Sequence, residues 1–426
     1  MAKKDINSNY EVVIIGGGAS GMMAAIKAAE TLRSQSNKGK VIILEKNSRL
    51  GFKLSITGGG RCNITNATFN VRDFLKKFGK SSDYLFSTFS QFDIQDSFDF
   101  FEKNGLALET QARNRVFPKS QKATDVVKFF EKLLRKNKVD ISLGDQVIKI
   151  NPNEDRTLIE TVETKNKIYK AKKFILSTGG TSHPETGSTG DAFKWLKKID
   201  HNIQNPTPNI VPLKVKDQWV KSIPGTSLSF MKISFFVDGE KSFSKTGKIL
   251  FTHFGLSGPL ILNSAKQVSD LLHAGQVTAK IDCYPDTDLG SLEKQILKIF
   301  DKHKNKSLKN VLKEISPAGL EKALWKIIPD ELLMTKIHSI KKEDRKYLVK
   351  TLKGLELEIE GLMGMDKAVI SDGGVPLKEI NTKTMQSKLY PNLYLIGDIL
   401  HVNRPSGGYS LQLCWTTGYV AGLLNH

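Results

Sequence analysis

A glycine-rich turn near the amino terminus constrains the fold more than any other feature of this chain. Its glycines have the spacing G-x-G-x-x-G and are Gly16, Gly18 and Gly21. The turn follows a β-branched run at residues 11–15, which predicts a buried strand, and precedes an alanine- and methionine-rich stretch at 20–32, which predicts a helix. A second apolar run, 41–44, ends at Glu45. These segments predict a parallel βαβ unit with a right-handed crossover.

Each part of this unit has a task in binding a dinucleotide. The first glycine permits a tight turn, the second lets the backbone approach a pyrophosphate, and the third lets helix and strand pack closely. Free amides at the start of the helix stabilise phosphate charge, and Glu45 can accept hydrogen bonds from ribose hydroxyls. A tight turn without a ligand is the alternative, but it explains one glycine and not three. The predicted contacts are Gly16, Gly18, Ala19, Ser20, Gly21, Glu45 and Lys46.

A second glycine-rich segment lies near the carboxyl terminus. A strand predicted at 392–396 ends at Gly397-Asp398, and a helix predicted over 407–424 opens with glycines. This pattern resembles the segment with which many FAD proteins hold the ribitol and the flavin ring, although an ordinary Gly-Asp turn is the alternative. Asp398 would accept a ribitol hydroxyl, and the helix amides would face the flavin edge that becomes negative on reduction. The predicted contacts are Gly397, Asp398, Gly407, Gly408, Tyr409, Ser410 and Gln412.

Three further regions are predicted to border the cofactor or the substrate. Consecutive glycines after the second strand can form a nest of amides for an anion, and Arg61 adds a fixed positive charge; a flexible loop is the alternative. The predicted residues of this region are Lys53, Thr57, Gly59, Gly60, Arg61 and Asn63. Val147, in a strand predicted at 146–150, would offer backbone groups to adenine or would simply be buried. A strand predicted at 174–177 runs into the last predicted contacts, Thr178, Gly179 and Gly180.

The length of the chain and a proline-rich segment predict two domains. A chain of 426 residues exceeds one compact core, and three prolines between residues 205 and 212 mark a junction. We predict an α/β fold in which 1–200 and 355–426 form a discontinuous Rossmann-like domain. Residues 201–354 form an inserted β-barrel-like domain, with barrel strands at about 205–262 together with strands that return later, and a lysine-rich helical lobe at about 288–353. A helix over 124–136 is predicted with Thr124 as its N-cap.

The net charge and the cysteines indicate which kind of substrate, metal binding and location to expect. A net charge of +20 indicates either a polyanionic partner or lysines on solvated faces. Because the charge is dispersed, we predict a small-molecule substrate and disfavour nucleic acid. Cys62, Cys283 and Cys414 lie far apart without metal-site or CxxC spacing, so we predict packing roles, no metal and a cytoplasmic location. No apolar run is long enough to cross a bilayer, and the oligomeric state is not indicated.

At full length the chain resembles the bacterial YhiN/BaiN-type flavoproteins, also described as aminoacetone oxidase family FAD-binding enzymes or NAD(P)/FAD-dependent oxidoreductases. The motifs that carry the resemblance are GGGASG at 16–21, TGGGRCNITN at 57–66, RVFP at 115–118, STGGT at 177–181, TGSTGD at 186–191, FTHFGLSGP at 251–259 and GDILHVNRPSGGYSLQ at 397–412. The resemblance implies a glutathione-reductase-like FAD domain, of mixed three-layer type, interrupted by a β-barrel-like domain with a helical insertion. It also implies an oxidoreductase, with reduction of unsaturated oxo-steroids among the activities of particular members.

We therefore predict an FAD-dependent oxidoreductase that passes a hydride through flavin N5 to an enone or a similar small acceptor. No second G-x-G-x-x-G motif marks a nicotinamide domain, so NADH or NADPH would bind transiently as the electron donor. Three alternatives stay open: an amine or alcohol oxidase using oxygen, a flavin-dependent tRNA-modifying enzyme that uses the basic lobe, and a non-catalytic redox sensor.

Five residues are candidates for the chemistry beyond the cofactor itself. His183, His253 and His401 are candidate general acids because imidazole titrates near neutral pH, and His401 is the best placed, three residues after Asp398. Arg404 would orient an anionic substrate or the flavin edge. The predicted catalytic residues are His401, Arg404 and Arg61.

Overall fold

The computed structural model describes residues 5–425, with side chains from Tyr10 onward. The chain forms two compact units. The first contains the residues up to Pro208 together with those from Val369, and the second contains Asn209–Ala368. The first unit is therefore discontinuous in sequence, and the second is inserted into it.

In the residues up to 208, strands alternate with helices. The strands are β1 (Asp5–Ile15), β2 (Lys40–Glu45), β3 (Thr65–Asn66), β4 (Leu108–Gln111), β5 (Arg115–Pro118), β6 (Asp140–Leu143), β7 (Val147–Pro152), β8 (Ile159–Thr164), β9 (Lys167–Leu176) and β10 (Gln204–Asn209). The α-helices are α1 (Ala19–Ser34), α2 (Phe52–Gly60), α3 (Val71–Leu75), α4 (Ser82–Phe89), α5 (Ile94–Lys103), α6 (Ala123–Lys136) and α7 (Asp191–Lys198).

The inserted unit and the carboxyl-terminal part follow. The strands of the inserted unit are β11 (Leu213–Val215), β12 (Ser227–Val237), β13 (Glu240–Thr252), β14 (Gly255–Ser257), β15 (Val277–Asp282) and β16 (Leu355–Leu362). Its helices are α8 (Gln218–Lys221), α9 (Pro259–Leu262), α10 (Ala265–Ala274), α11 (Leu289–Lys302), α12 (Leu308–Ile315), α13 (Glu321–Ile327), α14 (Asp330–Met334) and α15 (Lys342–Lys353). The chain then ends with β17 (Ile370–Pro376), β18 (Ile380–Asn381), β19 (Gln386–Ser387), β20 (Leu393–Leu395), β21 (Leu400–His401) and α16 (Tyr409–Gly422).

A mainly parallel sheet forms the centre of the first unit. The strands β20-β9-β1-β2-β6 lie side by side in this order, and each adjacent pair is parallel. Val12 pairs with Val41 and Ile15 with Leu44, so β1 and β2 are the parallel strands that the βαβ pattern predicts. Residues 12–15 of β1 and 41–45 of β2 are buried on both faces, which explains their continuous β-branched and apolar sequence. The remaining pairs, β18–β19, β19–β20, β7–β8 and β8–β9, are antiparallel.

The carboxyl-terminal helix α16 closes the first unit against α1. A Cβ on Gly418 would lie 2.5 Å from the backbone oxygen of Ser20, and one on Gly422 would lie 2.8 Å from that of Ala24. The Thr31 hydroxyl donates a hydrogen bond to the Gly422 carbonyl at 2.9 Å. Small residues thus let the two helix backbones approach closely, and the last helix of the chain packs on the first.

The inserted unit is a closed β-barrel with a helical lobe. Its strands run in the order β11-β14-β13-β12-β15-β16, and β16 closes the barrel by pairing with β11. Helices α11–α15 lie between β15 and β16, which confirms the predicted barrel with a helical insertion. The inserted unit ends at Ala368, whereas we predicted a boundary after residue 354. The prediction was wrong there because the strand Leu355–Leu362 belongs to the barrel and not to the Rossmann-like sheet.

Two smaller observations complete the comparison with the sequence. Helix α6 begins at Ala123, and its N-cap is Lys122, so the prediction of Thr124 as N-cap was wrong by two residues. Among residues 5–425, no helix has the length and apolar character needed to cross a bilayer.

Replacing Gly418 with alanine should destabilise the first unit. The added methyl group would press against the backbone carbonyl of Ser20, which cannot move without shifting helix α1. We therefore expect a loss of about 1–3 kcal/mol in the free energy of unfolding. Urea denaturation followed by circular dichroism measures this loss. Gly361→Ala is the control, because a Cβ there meets nothing within 4 Å, and it should change stability by less than about 0.5 kcal/mol. Equal stability of the two variants would contradict the close helix contact.

Candidate functional site

The glycine turn after β1 is held by Glu45 at the end of β2. The carboxylate of Glu45 accepts hydrogen bonds from the backbone amides of Gly17, at 2.7 Å, and Asn47, at 2.8 Å. Because this buried carboxylate has further lone pairs, it can also accept bonds from ribose hydroxyls. The acid predicted from sequence therefore lies directly against the turn.

The three motif glycines have different surroundings. A Cβ on Gly21 would lie 2.0 Å from the Gly16 carbonyl oxygen, so Gly21 is required for the turn to pack on its own helix. Gly16 has a φ of +106° and lies against Ser177 at the end of β9. At Gly18, by contrast, a Cβ would meet nothing within 4 Å. The amino terminus of α1 therefore adjoins open space at Gly18.

The carboxyl-terminal glycines bring their segment to the same place. A Cβ on Gly397 would lie 2.6 Å from the Ser20 hydroxyl in the first turn of α1. Gly408, at φ +101° just before α16, lies against Thr65, where a Cβ would be 2.3 Å from backbone atoms. Two segments from opposite ends of the chain therefore meet at the start of α1, as a single long cofactor requires.

A partly buried charged cluster surrounds Asp398. Arg404 donates a short hydrogen bond to one carboxylate oxygen of Asp398, and Lys53 Nζ lies 4.0 Å from the other. Lys53 also donates to the hydroxyl of Ser182 at 2.6 Å and to its carbonyl at 3.1 Å. Burial lowers the pKa of Lys53, and the Asp398 carboxylate opposes this shift. The cluster fixes Asp398 in the position predicted for the ribitol contact.

Arg404 has a different role from the predicted one. Its side chain is 1% exposed, and besides Asp398 it donates to the Val402 carbonyl at 2.6 Å and the Ser410 hydroxyl at 3.1 Å. Its guanidinium is thus committed to protein groups and positions Asp398 rather than facing a substrate. Sequence reasoning took Arg404 as a contact of an anionic substrate or of the flavin edge, because the burial of its side chain depends on contacts that only the folded chain shows.

The glycine run 58–60 leaves helical geometry and leads to Arg61. Arg61 donates hydrogen bonds to Gln121 and Gln111 and lies 4.1 Å above the Phe117 ring. It therefore packs on β4 and β5, away from the contacts of Asp398. The following residues turn inwards, and Cys62 is completely buried.

Two buried polar atoms in the predicted site have no protein partner. The side-chain oxygens of Asn63 and Thr178 are inaccessible to solvent and accept or donate no hydrogen bond within residues 5–425. Buried polar atoms are normally paired, so such atoms point to a missing ligand. Thr178 follows Ser177, which contacts the glycine turn through hydrogen bonds to the carbonyls of Ile15 and Gly16. Both atoms belong to residues predicted from sequence as cofactor contacts, and FAD fits them.

Other predicted contacts have protein partners of their own. Lys46 forms an ion pair with Asp191 at 3.0 Å and donates to Thr189. The amide of Gln412 is fully buried and bonds to Thr65, Ser97, Thr416 and the Asp93 carbonyl, which assigns it to the anchoring of α16. The Thr57 hydroxyl donates to the Leu54 carbonyl.

Gly180 and Val147 lie beside other parts of the site. A Cβ on Gly180 would lie 3.1 Å from the Asp398 carbonyl oxygen, so the loop after β9 adjoins the carboxyl-terminal segment. Gly179, the residue before it, lies against Ser188. Val147 begins β7 and is buried, and its strand follows Asp145, whose amide donates to the Glu45 carbonyl at 3.0 Å. Val147 therefore lies near the end of the site where Glu45 is.

The three candidate histidines are separated. His401 is half-exposed, and its Nε2 lies 3.3 Å from the buried carboxylate of Asp372. His183 pairs with Glu185 at 2.8 Å. His253 lies in the inserted unit beside Phe254.

Sequence reasoning missed several serines. Ser182 accepts the Lys53 ammonium, and Ser371 accepts the Thr181 amide at 3.0 Å. Ser177 and Ser182 lie in or beside the STGGT motif, which is the signal that would have indicated them. Ser371 precedes Asp372 and two glycines, but nothing local indicates its partner.

The cysteines should be inert in the folded protein. Burial raises the pKa of Cys62, Cys283 and Cys414 to about 12. Because the thiolate is the nucleophile, a shift of about three units lowers its fraction at pH 8 about a thousandfold. We expect mass spectrometry to find all three unmodified by iodoacetamide at pH 8 in native protein, and all three alkylated in urea. Rapid alkylation of Cys62 or Cys414 in the native protein would contradict the packing role and would indicate a reactive thiol in the site.

Comparisons with known proteins agree with this geometry. The family model described as HI0933-like protein Rossmann domain matches residues 10–424. The chain is 28% identical over 416 residues to 3-dehydro-bile acid delta(4,6)-reductase of Clostridium scindens, covering 96% of this chain and 97% of that protein. It is 26% identical over 412 residues to ribosomal RNA dihydrouridine synthase of Escherichia coli, covering 96% of each.

A solved structure extends the comparison to the fold. The 3-ketosteroid-delta4-(5alpha)-dehydrogenase of Rhodococcus jostii matches with a TM-score of 0.53 at 13% identity, covering 98% of this chain and 97% of that one. The match shows a shared fold. Together the comparisons confirm the predicted resemblance, the fold class and an FAD-dependent oxidoreductase whose substrate is open. The chain belongs to the HI0933-like protein Rossmann domain family.

Proposed function

We propose that this protein uses FAD to reduce a carbon–carbon double bond conjugated to a carbonyl group, with NADH or NADPH as the electron donor. The observation that carries the proposal is the meeting of the 16–21 and 397–408 segments at the start of α1, where Thr178, whose hydroxyl is buried and unpaired, lies beside Gly16. A site of this kind is built for a long, hydrogen-bonding ligand with phosphate groups.

The amino-terminal elements would hold the adenosine half. The free amides at the start of α1 and the open space at Gly18 receive the pyrophosphate. Glu45 keeps both of its bonds to the turn and accepts ribose hydroxyls with its remaining lone pairs. Val147, two residues after the Asp145 amide that bonds to the Glu45 carbonyl, would border the adenine.

The carboxyl-terminal elements would hold the flavin half. Asp398, fixed by Arg404 and adjacent to Lys53, accepts a ribitol hydroxyl. The first amides of α16, at Tyr409 and Ser410, and the positive end of its dipole stabilise negative charge placed before them. Bound FAD supplies a ring that takes a hydride from NAD(P)H and passes it to the acceptor.

His401 is the proposed proton donor to the acceptor. It is half-exposed, and its pairing with buried Asp372 orients the ring. Reduction of a conjugated double bond needs one hydride and one proton, and an imidazole holds a proton near neutral pH. His183 is a weaker candidate because it pairs with Glu185, which is itself exposed.

The names of the relatives support this reaction class. A delta(4,6)-reductase acting on a 3-dehydro-bile acid and a synthase of dihydrouridine both saturate double bonds conjugated to a carbonyl. The two substrates differ in size and charge, but the bond that is reduced is chemically similar. We therefore propose that this protein shares the reduction of a conjugated double bond with these relatives, and that the acceptor molecule differs between members.

A uridine in RNA is the second candidate acceptor. Two relatives named as ribosomal RNA dihydrouridine synthases match almost the full length, and the net charge of +20 suits a polyanion. The small enone remains the first candidate because the relative with the highest identity among those compared is the bile-acid reductase.

Anaerobic reduction of the FAD-loaded protein tests the proposal. We expect NADH or NADPH to bleach the flavin absorbance, and an enone such as 2-cyclohexenone, or an oligouridylate, to restore it as the double bond is consumed. Gly18→Val should fold normally but fail to retain FAD, because its side chain would occupy the pyrophosphate space. A flavin that resists both nicotinamides, yet is bleached by amines or alcohols, would contradict the reductase and support an oxidase.

A further inference from the structure

The helical lobe between β15 and β16 has a strong positive charge. Residues 289–353 contain sixteen lysines and arginines against eight aspartates and glutamates. The apolar residues of the lobe, including Leu308, Val311 and Leu312 on α12, are buried in one cluster with the barrel core. The lysines are therefore not needed for the packing of the lobe, and their placement on its surface can be considered separately.

Backbone hydrogen bonds between two turns hold some of these lysines close together. The turn before α12 lies alongside the turn after α14, because Ile337 donates to the Lys306 carbonyl at 2.9 Å and His338 to the Lys304 carbonyl at 3.1 Å. Ser307 forms a β-bridge with Lys336. Lys304, Lys306 and Lys336, all exposed, are thus held on two adjoining turns.

An exposed aromatic ring adjoins these turns. Lys309, in the first turn of α12, places its Nζ 5.1 Å from the centre of the Trp325 ring on α13. Trp325 is 39% exposed, which is unusual for so large an apolar ring. We call Lys304, Lys306, Lys309, Lys336 and Trp325 the lobe face.

The nearby carboxylates leave most of this charge uncompensated. Glu314 pairs with His303 at 2.8 Å, and Asp301 lies 3.8 Å from Lys304. In the described part of the chain, Lys306, Lys309 and Lys336 have no carboxylate within ion-pair distance. A solvated lysine surface explains the charge, but it does not explain a tryptophan placed among the lysines.

We propose that the lobe face binds single-stranded RNA, with its lysines on phosphates and Trp325 stacked on a base. Phosphate contacts by lysine and stacking on an aromatic ring are the two interactions by which proteins bind single strands. The proposal rests on the second candidate acceptor, because a polyanionic substrate would need a docking surface beyond the reducing site.

RNA binding by a triple variant tests the lobe face. The full-length, FAD-loaded protein is titrated into a fluorescein-labelled oligouridylate of about 20 nucleotides, at salt concentrations from about 50 to 200 mM. We expect K306Q/K309Q/K336Q to bind at least about tenfold more weakly, with the slope of log K against log salt reduced by about two to three. Trp325→Ala should weaken binding and leave the slope unchanged, since stacking releases no counterions.

The matched control removes three positive charges from a helix of the first unit. Lys128, Lys132 and Lys136 are exposed on α6 of the first unit, and K128Q/K132Q/K136Q should bind the RNA like the unchanged protein. Equal loss in both triple variants, or no loss in either, would overturn the proposal. Tighter binding to phosphatidylglycerol vesicles than to RNA at equal phosphate would overturn it too, and would assign the face to a membrane surface.

Reduction of 2-cyclohexenone by the same variants separates the two proposals. The lobe variants should keep this activity, which shows that the protein is folded and loaded. If enone reduction occurs while RNA does not bind, the lobe proposal fails and the reductase stands. If RNA binds through the lobe face while no conjugated acceptor is reduced, the reductase fails and the lobe proposal stands.

Discussion

The site depends on backbone segments that approach more closely than a side chain would permit. Gly21 packs on Gly16, Gly397 on Ser20, and Gly408 on Thr65, and at each contact a Cβ would lie under 3 Å from its neighbour. The contacts of Gly397 and Gly408 join segments separated by most of the chain length. Since a methyl group at any of them would push two segments apart, the geometry around α1 is set by the absence of side chains. The cofactor space is what remains open beside Gly18.

Charge is arranged around this space in a consistent way. The amino termini of α1 and α16 present free amides, and Lys53 and Arg404 lie near Asp398. An anionic dinucleotide would be attracted to this region. The buried Arg404 supports the Asp398 carboxylate.

Much of the fold follows from local patterns in the sequence. The βαβ unit, the carboxyl-terminal helix and the helical lobe were predictable because periodicity and glycine spacing are local properties. The boundary near residue 355 was not, because the alternating sequence of β16 suits either a barrel or an open sheet, and only its partners decide. The same holds for Lys53 with Ser182 and for buried Gln412, whose partners lie more than a hundred residues away. Motifs indicated which residues matter, but their roles depend on contacts that only the folded chain brings together.

Hydrogen exchange with and without FAD tests most directly whether the two ends of the chain grip one cofactor. With FAD in large excess over its Kd, peptides covering 16–21, 45–47, 57–63, 178–180 and 397–410 should exchange up to about a hundredfold more slowly, while 289–353 should be unchanged. Protection of both 16–21 and 397–410 is the result that the account predicts. Protection confined to one of these two segments, or absent from both, would contradict it.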